Sequence, residues 1–349
     1  MRDTLPGEGI RRRSSIALTV LVLGAAVAAQ GPPPRAPAAG DLPERVGFSA
    51  AEAAQARTGQ PAVRVLPVEV STEVAAAGTI RIRGDLERLV VWLLHIESFR
   101  KAIGTESVGA ISRPARPEDF AKATSGSVDL EELRRCRPLA CEVRMPAAYL
   151  SRFSSEVPWG TPQAAAAAAA LGRQLFAEYA GAYQKGGDAA LGAHHDQQAP
   201  QAIAAEFQDM LRRATTLWNL AYPFASYLET FPKARPPDVE ERFYWTRESA
   251  GRQPVTTLHH VVLQRLADKS LRVADKQFYA SRDLDAALLV GQATPIGDGA
   301  SFDLVVAVRG RSPKLGSVAA RVLRGRIERE MADTLAMYLD WLRKTFALG

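Results

Sequence analysis

Most signatures of common enzyme chemistry are missing from this sequence. It has no Gly-x-Ser-x-Gly elbow, no His-Glu-x-x-His pair and no dinucleotide fingerprint. Gly297-Asp298-Gly299 suits a hairpin turn and, without a following helix, makes no phosphate loop. Cysteine is scarce: Cys136 and Cys141 lack the redox Cys-x-x-Cys spacing, and no second pair exists for structural zinc. These residues imply no metal and no cofactor. No repeat period is visible. The apolar run from Ile16 to Ala29 is fourteen residues, short of the ~20 that a spanning helix needs. Basic residues are interspersed with acids rather than clustered with aromatics, which argues against nucleic acid as a partner.

What is present begins with a leader. Arg11-Arg12-Arg13 precedes that apolar run, and Ala26-Val27-Ala28 is a small-x-small cleavage pattern, so residues 1–29 read as a secretory signal peptide. The expected compartment is periplasmic or secreted. Removing residues 1–28 takes away four arginines and two acids, lowering the formal charge from +6 to +4. In an oxidising compartment, Cys136 and Cys141 are expected to form a disulfide across a short Pro-containing loop. Closing such a loop stabilises by ~2 kcal/mol on the chain-entropy model.

The full chain of 349 residues is 47% hydrophobic and 23% charged, an ordinary globular composition. Residues 30–62 read as a Pro/Ala-rich tether, from Gly31 to Pro43, followed by a short helix capped by Ser49. Val63 to Arg83 has strand texture, Asp85 caps a helix with Leu86, Leu89, Val90, Leu93 and Ile96 on one face, and Glu106 to Ile111 reads as a strand. A largely helical insertion spans about 147–233. It includes a helix starting at Thr161-Pro162, running through the alanine tract Ala164 to Ala170 and ending at Gly186-Gly187, with further helices from Pro200 to Leu220 and from Pro223 to Thr230.

The last third reads as a meander, with strands over Arg242 to Thr246, Val255 to Gln264, Lys276 to Val290 and Ser301 to Arg309. Ser312-Pro313 then starts one long helix with a stripe at Leu315, Ala319, Leu323, Ile327, Met331, Leu335, Tyr338, Leu342 and Phe346. At ~1.5 Å per residue the stripe is about 50 Å long and needs a large apolar surface to lie on. The expected fold is therefore α+β: residues 63–349 form an antiparallel sheet gripped by a long C-terminal helix, with the helical insertion added.

Two regions carry a family resemblance. Ile80-Arg81-Ile82 through Leu86-Glu87-Arg88-Leu89-Val90-Val91-Trp92-Leu93 to Ile96-Glu97-Ser98-Phe99 resembles the opening of START-like and polyketide-cyclase-like domains. Thr294 to Phe346 is similar to their last strands and closing helix. The resemblance implies a helix-grip fold with a cavity for a lipid or other hydrophobic small molecule, and some such domains catalyse cyclisation or hydrolysis there. The chain also resembles an uncharacterised exported bacterial family with a Cys-x4-Cys segment and a Tyr-Trp strand, a likeness that implies no activity.

Candidate ligand-orienting residues are His259, Tyr279 and Arg282. His259 and His260 are adjacent in a strand, so their rings should face opposite ways. Asp283 and Asp285 would share a face and could divide acid and base roles, but a solvent-facing side of the antiparallel sheet predicts the same residues and is preferred. His194-His195-Asp196 invites a metal reading, but adjacent histidines diverge, and a solvated loop is preferred. The function expected is non-catalytic binding of a lipid or hydrophobic small molecule between sheet and closing helix. The alternatives are an enzyme using a histidine or carboxylate general base there, and a protein-interaction module acting through the helical insertion. Contact with a membrane surface is compatible with the first.

Overall fold

The computed structural model describes residues 42–123, 130–196, 200–216, 220, 224–250 and 253–347. The leader read as a signal peptide, and most of the tether, lie outside the described residues. The tether's expected end at Pro43 already belongs to a short helix, α1 (Leu42–Arg45). In α2 (Ala50–Arg57) Ser49 and Glu52 form a reciprocal capping box. Strands β1 (Ala62–Val65) and β2 (Glu73–Arg83) follow. Asp85 then caps α3 (Leu86–Leu94), accepting the Glu87 N–H at 2.9 Å, and α4 (Ile96–Ala102) leads into β3 (Ser107–Ile111).

Between β3 and β4 the described elements are mainly helical: α5 (Leu130–Arg135), α6 (Ala147–Glu156), α7 (Ala164–Gly186), α8 (Ile203–Arg213) and α9 (Phe224–Thr230). Cys136 and Cys141 are joined by a disulfide just after α5. Thr161 does not cap α7. Its hydroxyl donates to the Pro158 carbonyl at 2.9 Å, and Gln163 occupies the cap position. At the other end Gly187 turns the chain with φ +63, and a Cβ there would lie 1.8 Å from the Phe231 carbonyl oxygen, so no other residue fits.

The chain then runs through β4 (Val239–Ala250), β5 (Gln253–Arg265), β6 (Leu271–Ala280), β7 (Ala286–Ile296) and β8 (Ser301–Arg311) before the closing helix, α10 (Val318–Ala347). The strands form one eight-stranded sheet, ordered β1-β2-β8-β7-β6-β5-β4-β3, and every pairing is antiparallel. The architecture is α+β, with an antiparallel sheet gripped by a long C-terminal helix.

The strand expected over 276–290 is in fact two, β6 and β7. Ser281 to Asp285 forms the turn between them, and Asp283 adopts φ 67, a left-handed conformation that Asp tolerates. Asp283 and Asp285 therefore share no strand face. Asp283 pairs with Lys314 and Asp285 with Arg144. The closing helix also starts later than expected. The Ser312 hydroxyl donates to the Asp283 carbonyl, Pro313–Gly316 forms a 3-10 turn, and Ser317 Oγ accepts the Ala320 N–H at 3.1 Å.

Both sheet faces are covered, which explains why β8 is nearly continuously buried instead of alternating. On one face Ile80, Ile82, Val261, Leu263, Val273, Phe302 and Leu304 pack with α3 and with Leu335, Leu339, Leu342 and Phe346 of α10. Gly78 permits the close approach of that helix: a Cβ there would lie 2.6 Å from Leu339 Cδ1. The earlier part of the predicted stripe is only partly covered. Leu315 and Ile327 are buried, but Leu323 is 45% exposed, and off the stripe Val318 and Val322 are 76% and 83% exposed. The side chain of Ala319 lies outside the described residues.

The opposite face, including Ala75, Ala77, Leu258, Val262, Ala274, Leu288 and Val305, packs against the helical block. Buried ion pairs pin that block. Lys276 Nζ on β6 contacts both carboxylate oxygens of Asp188 at 2.7 Å, and Glu73, fully buried, is held by Arg309 and Arg311, the latter also pairing with Glu206 and Asp209 of α8. Lys276→Met leaves Asp188 buried without its counter-charge, so a loss of about 3–5 kcal/mol is expected. Guanidinium denaturation checks it, and a midpoint unchanged from wild type contradicts the pinning role.

Candidate functional site

Strand alternation sends Thr257, His259, Val261 and Leu263 of β5 toward the closing-helix face. His259 stands opposite Tyr244 of β4, and Asp275 of β6 is opposite Val261. This register assembles a continuous polar network. His259 Nδ1 lies 2.9 Å from Asp275 Oδ1, and His259 Nε2 lies 2.8 Å from Thr257 Oγ1. The Tyr244 hydroxyl donates to Asp275 Oδ2 at 2.5 Å, and the Tyr244 ring stacks on His259 with centroids 4.6 Å apart. Thr246 Oγ1 extends the network, 2.7 Å from Thr257 Oγ1.

Two helices supply the rim. Arg100 of α4 lies over the Tyr244 ring, 5.7 Å from its centroid, and pairs with Glu248 at 3.3 Å. Its Nε is buried with no partner among the described residues. Tyr338 of α10 is near enough for its hydroxyl to feel the charges of Arg100 and Glu248. Side-chain exposures of 13% for His259, 20% for Asp275 and 21% for Arg100 leave the network reachable from solvent.

The electrostatics are set by that packing. Burial opposes ionisation of Asp275, but His259, Arg100 and the Tyr244 hydroxyl together hold its carboxyl below the usual carboxylate value. Burial pushes the Tyr244 hydroxyl well up, so it remains a donor. Burial also disfavours the charge on Arg100, yet Tyr244, Asp275 and Glu248 outweigh it and raise its pKa. The site thus has a fixed anion, an imidazole between that anion and a hydroxyl, and a cation with one spare N–H.

Beside it lies apolar floor. Across the sheet toward the closing helix, Asp275 is followed by Leu289 of β7 and Val308 of β8, both half-buried, and then by half-buried Met331 of α10 packed on the same face. Beyond Leu335 the space under the helix is filled: Leu335, Leu339, Leu342 and Phe346 occupy it, and Trp92, Phe99 and Trp341 make ring contacts there. The room expected along the whole helix is therefore absent beyond Leu335.

Of the three residues proposed from sequence, only His259 reaches this site. Tyr279 would share its face under strict alternation. However, β6 carries a bulge, pairing Gln277 with His259 and Tyr279 with Leu258, so Phe278 is an extra residue and Tyr279 turns to the opposite face. There it is buried against Phe176 and Tyr179 of α7. Arg282 lies in the β6–β7 turn, ion-paired with Glu132 and Glu142.

His260 does point opposite to His259, fully buried against Phe243, Phe231 and Tyr183, with its Nδ1 3.1 Å from the Tyr183 hydroxyl. His194-His195-Asp196 is no solvated loop. His194 is 1% exposed with Nε2 3.0 Å from the Tyr179 hydroxyl, and Asp196 is 7% exposed, 3.6 Å from Arg144. Among the described residues no group of three or more His, Cys, Asp or Glu side chains is placed to hold a metal ion.

Sequence reading missed Thr257, Asp275, Tyr244 and Arg100. One signal was available for Thr257, which shares a strand face with His259 at a spacing of two. Asp275, Tyr244 and Arg100 join only through inter-strand register and helix placement. Two open clefts lie elsewhere: one of about 620 Å³ between segment 65–71 and Arg324 and Glu328 of α10, and one of about 390 Å³ at Ile111, Arg113, Arg235 and segment 239–243.

The fold and site define an α+β protein whose gripped sheet face carries a His–Asp pair beside an apolar strip. No family model matches the chain, and no curated protein or solved structure matches it with significance.

Asp275 yields a pH test. Its folded pKa lies below the unfolded value of ~3.9, so its stabilisation is present above that value and is lost as pH falls through the folded pKa. The gap in Tm between wild type and Asp275→Asn is therefore expected to shrink as pH is lowered from about 6 to about 3. A gap that widens contradicts this assignment.

Proposed function

We propose that this protein is an exported ligand-binding protein of the START-like, helix-grip class that holds an amphiphile on the face gripped by α10. The observation that carries this reading is a polar network, His259, Asp275, Tyr244 and Arg100, set into an otherwise apolar sheet face and continued sideways by half-buried Leu289, Val308 and Met331. An anionic or hydrogen-bonding head group meets the partly exposed Arg100 side chain and the His259 edge. The apolar body lies along the strip toward the closing helix, where burial supplies affinity. Export is supported by Arg11 to Arg13 and the following apolar run. The class is supported by the element order: strand, two short helices, antiparallel meander and long closing helix.

A fluorescent fatty acid is the practical probe. Leu289→Asp places a charge in the strip and is expected to weaken probe binding by about 10- to 100-fold, while Arg100→Gln weakens a carboxylate probe more than its methyl ester. Native mass spectrometry of protein purified from its own cell envelope is expected to show a retained apolar mass. Absence of both that mass and probe binding to wild type overturns the reading.

A further inference from the structure

We infer that Thr257, His259 and Asp275 form a hydroxyl–imidazole–carboxylate relay that hydrolyses a carboxylic ester of the bound amphiphile, with Thr257 as nucleophile. The inference rests on the binding reading above and concerns the same site. Its warrant is that, with His259 as the neutral imidazole, the hydrogen bonds of the network run in one consistent direction. The Tyr244 hydroxyl occupies Asp275 Oδ2, leaving Oδ1 to accept from His259 Nδ1–H at 2.9 Å. In the neutral imidazole, an N–H on Nδ1 leaves a lone pair on Nε2, which lies 2.8 Å from Thr257 Oγ1. In that state Thr257 donates its own proton to His259, and its oxygen is free to accept from Thr246 Oγ1, 2.7 Å away. A base oriented by a carboxylate and bonded to a hydroxyl is the arrangement that activates a hydroxyl for attack. A histidine needed only for packing on an apolar face has no requirement for this ordering. Arg100, over the ring that stacks on His259, adds a cation to the same constellation.

In the first half-reaction Thr257 Oγ1 bonds to the ester carbonyl carbon while its proton passes to His259 Nε2. The tetrahedral adduct then collapses, the ester C–O bond breaks, and the departing oxygen takes that proton to leave as an alcohol. Water next attacks the acyl-Thr257 carbon and gives a proton to His259, which returns it to Thr257 Oγ1 as the carboxylic acid is released. Ester and water become acid and alcohol with no oxidant or further reactant.

The full chain is tested with p-nitrophenyl octanoate as substrate and an alkyl fluorophosphonate as trap. The expected result is steady release of p-nitrophenol and a phosphonyl adduct on the peptide carrying Thr257. Thr257→Val and His259→Ala should each lower the rate by roughly 10³-fold or more. Thr257→Ser, which keeps a hydroxyl, should retain both hydrolysis and the adduct, separating lost chemistry from lost fold. If wild type binds the fluorescent fatty acid but neither hydrolyses the ester nor forms the adduct, or if Thr257→Val hydrolyses as well as wild type, the relay is overturned and the binding reading stands. If wild type neither binds the probe nor retains an apolar mass, the binding reading fails, and the relay fails with it.

Discussion

Strand β6 is the constraint on which the rest depends. Its two-residue period sends Asp275 to the face gripped by α10 and Lys276, the next residue, to the face covered by the helical block. One neighbour completes the His259 network; the other anchors Asp188 and, through its 3.2 Å bond to the Leu228 carbonyl, reaches α9. A one-residue slip of this strand would exchange the two charges between faces and strand both without partners. The bulge at Phe278 then resets the alternation, so that β6 can place Asp275 beside His259 and still turn Tyr279 inward against α7.

Covering both faces of one sheet explains the distribution of buried charge. The helical block meets the sheet through ion pairs as well as apolar contacts, with Glu73, Arg144, Lys276 and Arg311 all nearly inaccessible. Buried pairs contribute modest net stability, but breaking one is costly, so they favour a single docking position over sliding alternatives. On the other face the network of His259, Asp275, Tyr244 and Arg100 sits beside a half-buried apolar strip.

Local features were legible because short-range physics decides them. The Ser49 and Asp85 caps, the apolar face of α3, the meander and the closing helix all follow from periodicity and capping chemistry. The misreadings arose where a distant partner overrode a local cue. Ser312 resembles a cap, but the Asp283 carbonyl claims its hydroxyl, and the cap moves to Ser317. Lys276 to Val290 resembles one strand because its turn is built from charged residues whose partners, Arg144 and Lys314, lie far away in sequence. His194 and Asp196 resemble a loop, yet Tyr179 and Arg144 draw them inside.

The amino-acid order alone settled the fold class: an α+β chain with an antiparallel meander and a long terminal helix, since hydrophobic period and turn residues act within a few positions. It also marked His259 as the histidine turned away from His260. Only the tertiary structure decided what His259 meets. Asp275, Thr257, Tyr244 and Arg100 are drawn from three strands and a helix, and their convergence depends on inter-strand register and one bulged residue, which hydrophobic spacing does not encode.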